Sequence, residues 1–482
     1  MAEKSTFEPT EIDTSPYEVL TTLRSDGKRK WMYPTESKGR FLFRRRILGW
    51  GLVVMYLALP ILQIGGRPAV MLDFVHREFA LFGLMFYPTD TLLLMILMVG
   101  IMLTIVLITA LLGRVWCGWT CPQTVYLEFV FRPLERLIEG PEHVRKRRNE
   151  GPRTPERVVG YGVKQLAFLI ISVLLSHTFI AYFVGWSTLL EWLQGPPAEN
   201  WGFFLLTTLV TGLVWFDFAY FREQMCTIAC PYARMQSIML DKDSLIVSYD
   251  PTRGEPRSKR SKKSLDEESS GKIEAQGDCI DCLACVRTCP TGIDIRDGLQ
   301  MECVACTQCI DACDHIMDRI SKPRGLIRYT SENQLQGVKT RVLRPRSVIY
   351  GILIVLIFSS FSMVLATREA YDINIGRAVG EPFAELQDGR IANRLRFRVR
   401  NQTESSSTFD ITPLAPIGTE MRIIGASPVE LQPGEMKRIE VWVVIPREAF
   451  SSTSVEGTFK LSFSDGLIEE PSFLLLGPDS DK

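Results

Sequence analysis

The chain has 482 residues, and its 55 Lys and Arg residues are balanced by 55 Asp and Glu residues. The net charge therefore gives no indication of nucleic-acid binding. All twelve cysteines lie between Cys117 and Cys313, which argues against a disulfide framework and for reduced thiols that bind metal. The apolar residues fall into blocks, so the sequence predicts a protein with both membrane and soluble parts.

Five apolar blocks are long enough to cross a hydrocarbon core, which takes about 20 helical residues. The predicted spans are 47–64, 91–112, 165–184, 202–220 and 348–367. Arginines 44 to 46 precede the first span, and basic residues cluster in the loop after the second, so the positive-inside rule places the N-terminus in the cytoplasm. An odd number of spans then places the C-terminus outside, as expected for a multi-pass protein of a bacterial inner membrane.

This order of spans predicts a multidomain membrane protein with seven segments. We expect a cytoplasmic N-terminal segment, a region of four transmembrane helices, a cytoplasmic connection with a charged linker, an iron-sulfur domain, a cytoplasmic connector, a fifth transmembrane helix and a periplasmic domain. Their predicted boundaries are 1–46, 47–220, 221–272, 273–322, 323–347, 348–367 and 368–482.

The iron-sulfur domain is predicted from two consecutive cysteine motifs. The first reproduces C-x2-C-x2-C-x3-C-P, and the second repeats that spacing but ends in Asp314 instead of proline. Three closely spaced thiolates can hold one face of a cubane while the fourth reaches the neighbouring cubane. The motifs thus predict two 4Fe-4S clusters, one held by Cys279, Cys282, Cys285 and Cys313, and the other by Cys303, Cys306, Cys309 and Cys289. The alternative, a pair of structural zinc sites, would leave the cysteines at the x3 spacing without a role.

A second pair of motifs, each C-x3-C-P, follows two of the apolar spans. Its four thiols are Cys117, Cys121, Cys226 and Cys230, and on the predicted topology both motifs emerge on the face that carries the clusters. Convergent thiolates suit a soft ion such as Cu(I), zinc or another iron-sulfur centre. Arg114, Arg222 and Arg234 lie nearby and are expected to lower the thiol pKa values. The alternative is that each pair consists of buried small residues or labile thiols.

Other side chains in or near the spans carry weaker signals. A thioether stripe of Met95, Met98 and Met102 could pass copper along, but methionines in a packed or lipid-facing helix need no such function. His177 could bind a metal or haem, or could form a hydrogen bond within the membrane. Asp217 is expected to snorkel toward the membrane surface or to pair with a surface arginine, and His315 is expected to tune the first cluster through a hydrogen bond and not to bind iron.

The segment after the last span has the character of a β-sandwich. In "NRLRFRVRN" the residues Leu395, Phe397 and Val399 alternate on one face, and "KRIEVWVVIP" and "GTFKLSFSDG" are further strand candidates. About 100 residues of short strands separated by turns such as Pro433-Gly434 predict an immunoglobulin-like sandwich. The sequon-like Asn401-Gln402-Thr403 is interpreted as a turn.

With these motifs in place, the chain resembles the FixG/RdxA family of cytochrome c oxidase accessory proteins, also called CcoG, which are membrane polyferredoxins. The resemblance covers nearly the whole chain and includes "KRKWMYPTESKGRF" at 28–41, the paired cluster motifs, both C-x3-C-P motifs and the cysteine-free sandwich. It implies reduction of Cu(II) to Cu(I) in support of assembling a cbb3-type oxidase, with the C-x3-C-P cysteines as the copper or redox site. The expected partners are membrane lipid, a cytoplasmic electron donor, copper ions and the oxidase or its assembly factors.

Two other functions stay open at this stage. The paired motifs are shared with polyferredoxins that take electrons from quinols, so the chain could be a quinol-linked electron-transfer subunit. It could also be an assembly scaffold that performs no catalysis. If the protein is a metal reductase, its activity is expected to depend on the C-x3-C-P thiols. If it is an assembly scaffold, oxidase maturation is expected not to need the clusters.

Overall fold

A computed structural model describes residue 22 and residues 28–478, apart from 66, 76, 153, 260–275, 342, 404, 426 and 451. The chain divides into two compact units, one of residues 1–82 and 86–361 and one of residues 83–85 and 362–482. Most of the predicted charged linker falls in 260–275 and so lies outside the described residues.

The described helices are numbered in chain order. They are α1 Arg40–Ala58, α2 Thr91–Leu112, α3 Val115–Trp119, α4 Pro122–Tyr126, α5 Arg132–Glu139, α6 Glu142–Glu150, α7 Pro155–Val184, α8 Trp186–Gln194, α9 Trp201–Phe216, α10 Pro231–Met239, α11 Pro251–Gly254, α12 Ala284–Arg287, α13 Gln308–Arg319, α14 Glu332–Leu335 and α15 Pro345–Ala366. Wider π-type turns cover Leu127–Phe131, Asp217–Phe221 and Met225–Ala229.

Four of the described helical segments are long and apolar enough to cross a membrane: Thr91–Leu112, Pro155–Val184, Trp201–Phe221 and Pro345–Ala366. The predicted span 91–112 is confirmed at both ends. The helix predicted at 165–184 begins ten residues earlier, because Pro155 suits the first helical position and the Thr154 side chain accepts a hydrogen bond from the backbone N–H of Arg157. The outward-facing apolar side chains of the four segments are exposed in the isolated chain, as lipid-facing residues are.

The first predicted span differs from the prediction, since α1 begins at Arg40 and ends at Ala58. Its start lies against the iron-sulfur domain, where the carboxylate of Asp311 accepts hydrogen bonds from the backbone N–H groups of Phe41, at 3.2 Å, and Leu42, at 2.7 Å. Its other end lies against the far half of α7, where the Tyr56 hydroxyl donates to the carbonyl oxygen of Leu175 at 3.0 Å. Thus α1 runs alongside α7. It is not one of the four apolar segments, because its first turns contain several arginines.

The iron-sulfur region is closed by a two-stranded antiparallel sheet. Strand Ile246–Tyr249 pairs with strand Ile327–Thr330, in the register Ile246 to Thr330. The inner residues of both strands pack with the cluster cysteines in one core. Consequently the folded region extends on both sides of the segment 273–322.

The N-terminal stretch 28–39 lies along this region and along the membrane helices. Thr35 exchanges hydrogen bonds with the first cluster motif, because its N–H donates to the Arg287 carbonyl at 3.0 Å and its own carbonyl accepts from the Thr288 hydroxyl at 2.7 Å. Further toward the N-terminus, Arg29 forms a buried ion pair of 2.8 Å with Glu223. The stretch therefore ties the iron-sulfur domain to the second C-x3-C-P segment.

The second unit is a β-sandwich of two antiparallel sheets. One sheet has the order Glu420–Ile424, Met436–Ile445, Ile391–Asn401, Tyr371–Arg377, and the other has the order Val429–Leu431, Ser407–Ala415, Ser454–Phe463, Ile468–Glu469. Leu395, Phe397 and Val399 are fully buried between the sheets, which confirms the predicted alternation. Asn401 is buried and its side chain accepts hydrogen bonds from the N–H and hydroxyl of Thr403, so this segment is a turn as predicted.

Five short strands lie between α1 and α2. They are Gln63–Ile64, Arg67–Pro68, Val70–Asp73, Glu78–Leu81 and Leu84–Phe86. The strands Val70–Asp73 and Glu78–Leu81 pair in an antiparallel hairpin. This small β-region occupies the loop that the sequence predicts outside the membrane.

Candidate iron-sulfur and thiol sites

The structure sorts the eight cluster cysteines into two neighbouring cavities. One is lined by Cys279, Cys282, Cys285 and Cys313, and the other by Cys289, Cys303, Cys306 and Cys309, with Cys285 also at its edge. These are the two ligand sets that the sequence predicts. Helix α13 explains the crossing, because it carries Cys309 and Cys313 one turn apart and so supplies one thiol to each cavity.

Each cavity is formed by a loop with the same unusual backbone. In the first motif Asp281 and Leu283 have φ values of 49° and 57°, and at the equivalent positions of the second motif Ala305 and Thr307 have values of 52° and 63°. Left-handed residues other than glycine cost about 1–2 kcal/mol each, so four of them at repeated positions indicate a constraint on the loops. The turns curl each loop so that its three thiols face one cavity. No glycine marks these positions, so they could not be recognised from the sequence.

Burial disfavours the ionised form of these thiols when no metal is bound. It raises the pKa of Cys303 to about 11 and those of Cys285 and Cys313 to about 12. A buried thiolate therefore needs a positively charged partner, and iron bound to the sulfur supplies that charge. Four thiols in an apolar cavity, with no other metal ligands required, fit a 4Fe-4S cluster.

The first C-x3-C-P motif packs directly on the loop of the second cluster site. A Cβ atom at Gly118 would lie 2.6 Å from the carbonyl oxygens of both Val304 and Ala305, so only glycine allows this approach. Two arginines fix the contact: Arg45 Nε donates to the Gly118 carbonyl at 2.9 Å, and Arg114 Nη1 donates to the Cys303 carbonyl at 3.0 Å. Cys117 therefore lies next to the residue that contacts the cluster loop.

Additional side chains hold the two regions together. Gln308, which follows the left-handed Thr307, donates to the buried carboxylate of Glu128 at 3.0 Å. The indole of Trp119 donates to the hydroxyl of Tyr329 at 2.9 Å. Sequence reasoning missed these pairings, since each joins positions more than 170 residues apart and Gln308 and Trp119 occupy variable positions between the motif cysteines.

The second C-x3-C-P motif is positioned by a buried ion-pair network. Arg222, with φ of 52°, turns the chain out of the membrane helix that ends at Phe221. Its guanidinium donates to both carboxylate oxygens of Glu135 at 2.7 and 3.0 Å, and Arg145 binds the same carboxylate at 2.7 Å. Burial alone would raise the pKa of Glu135, but these cations, with Lys164, hold it at about 2. The anchored carboxylate fixes where the segment 222–230 begins.

The structure brings the four C-x3-C-P thiols together. In each motif the second cysteine ends one turn and the following proline starts the next helix, α4 after Cys121 and α10 after Cys230. Burial is the main cause that raises the pKa of Cys226, and the other three thiols raise it further through their proximity. Among the described residues no group of three or more His, Cys, Asp or Glu side chains is already arranged around a single metal-ion position. To share one ion, the four thiols would have to move closer.

The prediction that nearby arginines lower the thiol pKa values is wrong. Burial raises the pKa of Cys117 to about 11, although Arg114 opposes that rise. The guanidinium of Arg222 is paired with the Glu135 carboxylate, and the guanidinium of Arg114 donates to the Cys303 carbonyl oxygen of the cluster loop. Arg114 and Arg222 therefore act mainly on the backbone and the ion-pair network, and the charge of Arg114 does not overcome the effect of burial on Cys117.

The weaker candidates lie apart from the thiols or have structural partners. Met95, Met98 and Met102 are all exposed on the outer face of α2, as lipid-facing side chains are. The Nδ1 atom of His177 lies 2.7 Å from the Val173 carbonyl in the same helix, which satisfies that nitrogen locally. Asp217 accepts a hydrogen bond from the Gln123 amide at 3.2 Å, and the predicted arginine partner is absent among the described residues.

Comparison with known proteins gives matches along most of the chain. A family model described as a 4Fe-4S dicluster domain matches residues 221–332, a 4Fe-4S binding domain matches 94–141, and the immunoglobulin-like fold at the C-terminus of FixG matches 361–478. RdxA of Cereibacter sphaeroides is 34% identical over 83% of this chain and 86% of its own length. The nitrogen fixation protein FixG of Rhizobium meliloti is 30% identical over 92% of this chain and 91% of its own. A crystal structure of a FixG-related protein from Vibrio parahaemolyticus covers 23% of this chain and 97% of that one, at 15% identity and a TM-score of 0.19.

Fold and site together define a multidomain membrane protein that carries electrons on iron-sulfur clusters and bears an immunoglobulin-like domain at its C-terminus. Four apolar helices, two four-cysteine cavities and the β-sandwich each support that class. The chain belongs to the FixG/RdxA family.

Proposed function

We propose that this protein reduces Cu(II) to Cu(I) at the four C-x3-C-P thiols, with electrons supplied through its iron-sulfur domain. The observation that carries the proposal is the backbone contact between Gly118 and the loop Val304–Ala305. It leaves no room for another side chain between the C-x3-C segment and the wall of the second cluster cavity. An electron leaving that cavity therefore has a short path to Cys117.

The chemistry of the thiols favours copper as the substrate. Bound clusters supply one-electron transfer, and reduction of Cu(II) takes one electron. Soft thiolate ligands prefer Cu(I), so thiols that bind the product favour the reduction. The raised pKa of Cys117 means that copper must displace a proton to bind there.

The orientation in the cell completes the proposal. Arg44, Arg45 and Arg46 in the first turns of α1 support a cytoplasmic location for the iron-sulfur domain and the thiols, by the positive-inside rule. A cytoplasmic donor would then reduce the clusters, and the sandwich would face the periplasm and dock a cbb3-type oxidase or its assembly factors. Copper would leave the thiol site as Cu(I) for the oxidase.

The double variant Cys226→Ser with Cys230→Ser tests the site. Protein with chemically reduced clusters is mixed with Cu(II), and Cu(I) is followed with a chromogenic chelator. We expect the double variant to lose at least about 90% of the turnover, since two of the four soft ligands are gone, while the visible cluster absorbance persists. The matched control is Ala229→Ser, which adds a hydroxyl at an exposed position of the same turn and keeps both thiols. Wild-type turnover in the double variant would exclude the thiol site.

A second candidate role for the four thiols is a further iron-sulfur centre. It is favoured by the 4Fe-4S binding model that matches residues 94–141, which contain Cys117 and Cys121. Iron analysis separates the two roles. Two cubanes correspond to about eight irons per chain, and a third would bring the content to about twelve. A content near twelve that falls by about four in the double variant would replace the copper site by a third cluster.

A further inference from the structure

A large apolar cavity lies beside the C-x3-C-P segments, within the helical region. Its volume is about 820 Å³, inside the range of about 300–1,000 Å³ that is typical of small-molecule sites. Its walls come from α1, α4, α7 and α9 and from the turn that precedes each thiol motif. Trp116, Thr120 and Pro122 line it from the first motif, and Met225 lines it from the second. Cys117, Cys121 and Cys226 are each adjacent in sequence to a residue that lines the cavity.

The cavity opens toward the lipid. Met55 on α1, Phe179 on α7 and Leu213 on α9 all line it and are 50%, 43% and 59% exposed on the outside of the helices. Phe179 and Leu213 belong to helical segments that are long and apolar enough to cross a membrane, and α1, which carries Met55, packs beside the first of these. A ligand dissolved in the membrane could therefore enter from the side, whereas a water-soluble one would meet an apolar mouth.

The inner wall carries polar groups that an acyl chain would leave unsatisfied. Tyr126 is only 8% exposed and lines the cavity, and its hydroxyl has no hydrogen-bond partner among the described residues. Asp217 also lines the cavity; it accepts from the Gln123 amide, and no Lys or Arg of the described chain pairs with it. Burying the Tyr126 hydroxyl without a partner costs about 1–3 kcal/mol, so the wall favours a ligand with its own polar atoms.

Aromatic rings surround the polar groups. Tyr126 has its ring centroid 5.9 Å from that of Tyr56, in an edge-to-face arrangement, and 6.2 Å from that of Phe218. The hydroxyl groups of Tyr56 and Tyr182 are already used, since they donate to the carbonyl oxygens of Leu175 and Tyr56. The cavity thus combines flat aromatic walls with the Tyr126 hydroxyl as a donor and the Asp217 carboxylate as an acceptor.

From this geometry we propose that the cavity binds the head group of a membrane quinone or quinol, with the alkyl tail leaving through the mouth beside Met55 and Leu213. A flat ring fits between aromatic walls, and its oxygens can accept from the Tyr126 hydroxyl and, in the quinol, donate to the Asp217 carboxylate. The proposal adds a lipid-soluble ligand to the proposed electron-transfer function. It rests on that function only in taking the protein to be one that transfers electrons.

The test measures binding in the full-length chain, without copper. Purified protein is titrated with a radiolabelled benzoquinone that carries a decyl tail. We expect saturable binding of about one equivalent per chain, displaced by a naphthoquinone but not by decanol, which has the tail and no ring. Met55→Trp and Leu213→Trp fill the mouth from two different helices and are expected to weaken binding about tenfold, or about 1.4 kcal/mol.

Matched controls lie on the same helices. Val54→Trp and Leu209→Trp place the same ring at positions that are 60% exposed and do not line the cavity, so binding should stay at the wild-type level. Tyr126→Phe removes one hydroxyl group and is expected to weaken quinone binding about fivefold, the value of a typical hydrogen bond. Iron content and thermal unfolding verify that each variant is folded.

Three results would overturn the inference. They are binding that never saturates, equal loss in the lining and control variants, and displacement by decanol as strong as by the naphthoquinone, which would identify a lipid-chain site. The titration contains no copper and does not depend on turnover. Its failure would therefore leave the cupric reductase proposal standing, and loss of copper reduction in the thiol variants would leave the quinone site standing.

Discussion

Gly118 and Ala305 are in backbone contact across 187 residues of sequence, because a Cβ atom at position 118 would lie 2.6 Å from the Ala305 carbonyl oxygen. Gly118 follows Cys117 of the first C-x3-C-P motif, and Ala305 lies between Cys303 and Cys306 of the second cluster motif. The contact is thus the point where the thiol site meets the iron-sulfur domain.

The variant Gly118→Val tests that contact. The added side chain must push the cluster loop away, so we expect copper reduction by chemically reduced protein to fall at least about tenfold, while overpacking costs about 1–3 kcal/mol of stability. The control is Gly162→Val on α7, where a Cβ atom meets nothing within 4 Å. Equal rates in both variants, measured with a Cu(I) chelator at equal iron content, would contradict the prediction.

Arg45 is expected to influence the second cluster through its charge. The side chain is fully buried, and although burial raises the pKa of Cys306 to about 12, Arg45 is the largest influence opposing that rise. Replacing it in Arg45→Met removes a positive charge, which should make addition of an electron less favourable and lower the reduction potential of the second cluster.

An EPR-monitored redox titration measures that potential. The first cluster, for whose cavity Arg45 is not a lining residue, provides an internal reference in the same sample. Arg44→Met, at an exposed position one residue earlier, removes the same charge from solvent and should leave both potentials unchanged. A potential that rises in Arg45→Met would disprove the electrostatic role.

The crossed ligand sets predict an unequal loss of iron in two double variants. Cys279→Ser with Cys313→Ser removes two ligands of one cavity, so about four irons should remain; Cys279→Ser with Cys289→Ser removes one ligand from each cavity, so both clusters should be weakened. Iron and sulfide analysis of anaerobically purified protein makes the comparison. If each motif instead held its own cluster, the second variant would retain the higher iron content.

Glu135→Gln should destabilise the protein strongly at neutral pH. The change leaves Arg222 and Arg145 buried without their carboxylate, and breaking a buried pair in this way costs about 3–5 kcal/mol. Thermal unfolding in detergent is the measurement, with Glu150→Gln at an exposed position as the control. An unchanged midpoint in Glu135→Gln would show that the network contributes no net stability.

The same carboxylate predicts the direction of a pH effect. The pKa of Glu135 is held at about 2 in the folded chain against an ordinary value of 4.5, so its ionised form is the one that the fold stabilises. This contribution is complete above about pH 4.5 and is lost as the pH falls toward 2. The stability difference between wild type and Glu135→Gln should therefore shrink over that window.

Local patterns in the sequence were sufficient for much of this architecture. The spacing within 279–313 predicted the grouping of the cysteines that line the two cavities, because a cubane needs three close thiols and a fourth from elsewhere. The apolar block 91–112 predicted a helix with the same bounds, and the alternation of Leu395, Phe397 and Val399 predicted a buried strand face. In each case the determining interaction lies within a few residues or follows a fixed period.

The first predicted span is a case that local sequence patterns did not predict correctly. Composition predicted a helix over 47–64, but α1 starts at Arg40 because the carboxylate of Asp311, far along the chain, receives its first N–H groups. Nothing near residue 40 encodes that partner. The raised pKa of Cys117 likewise depends on burial by distant segments, whereas the sequence indicated only the arginines close by.

By itself, the sequence determined which elements form and which thiols can bind metal, since both depend on neighbouring residues and regular spacing. Only the tertiary structure decided that Gly118 touches the cluster loop, that Arg222 pairs with Glu135 where the chain leaves the membrane helix, and that a cavity with Tyr126 and Asp217 opens beside them. These relationships join segments that are far apart in the chain, and their energy comes from burial, charge pairing and close backbone approach, which exist only once the chain has folded.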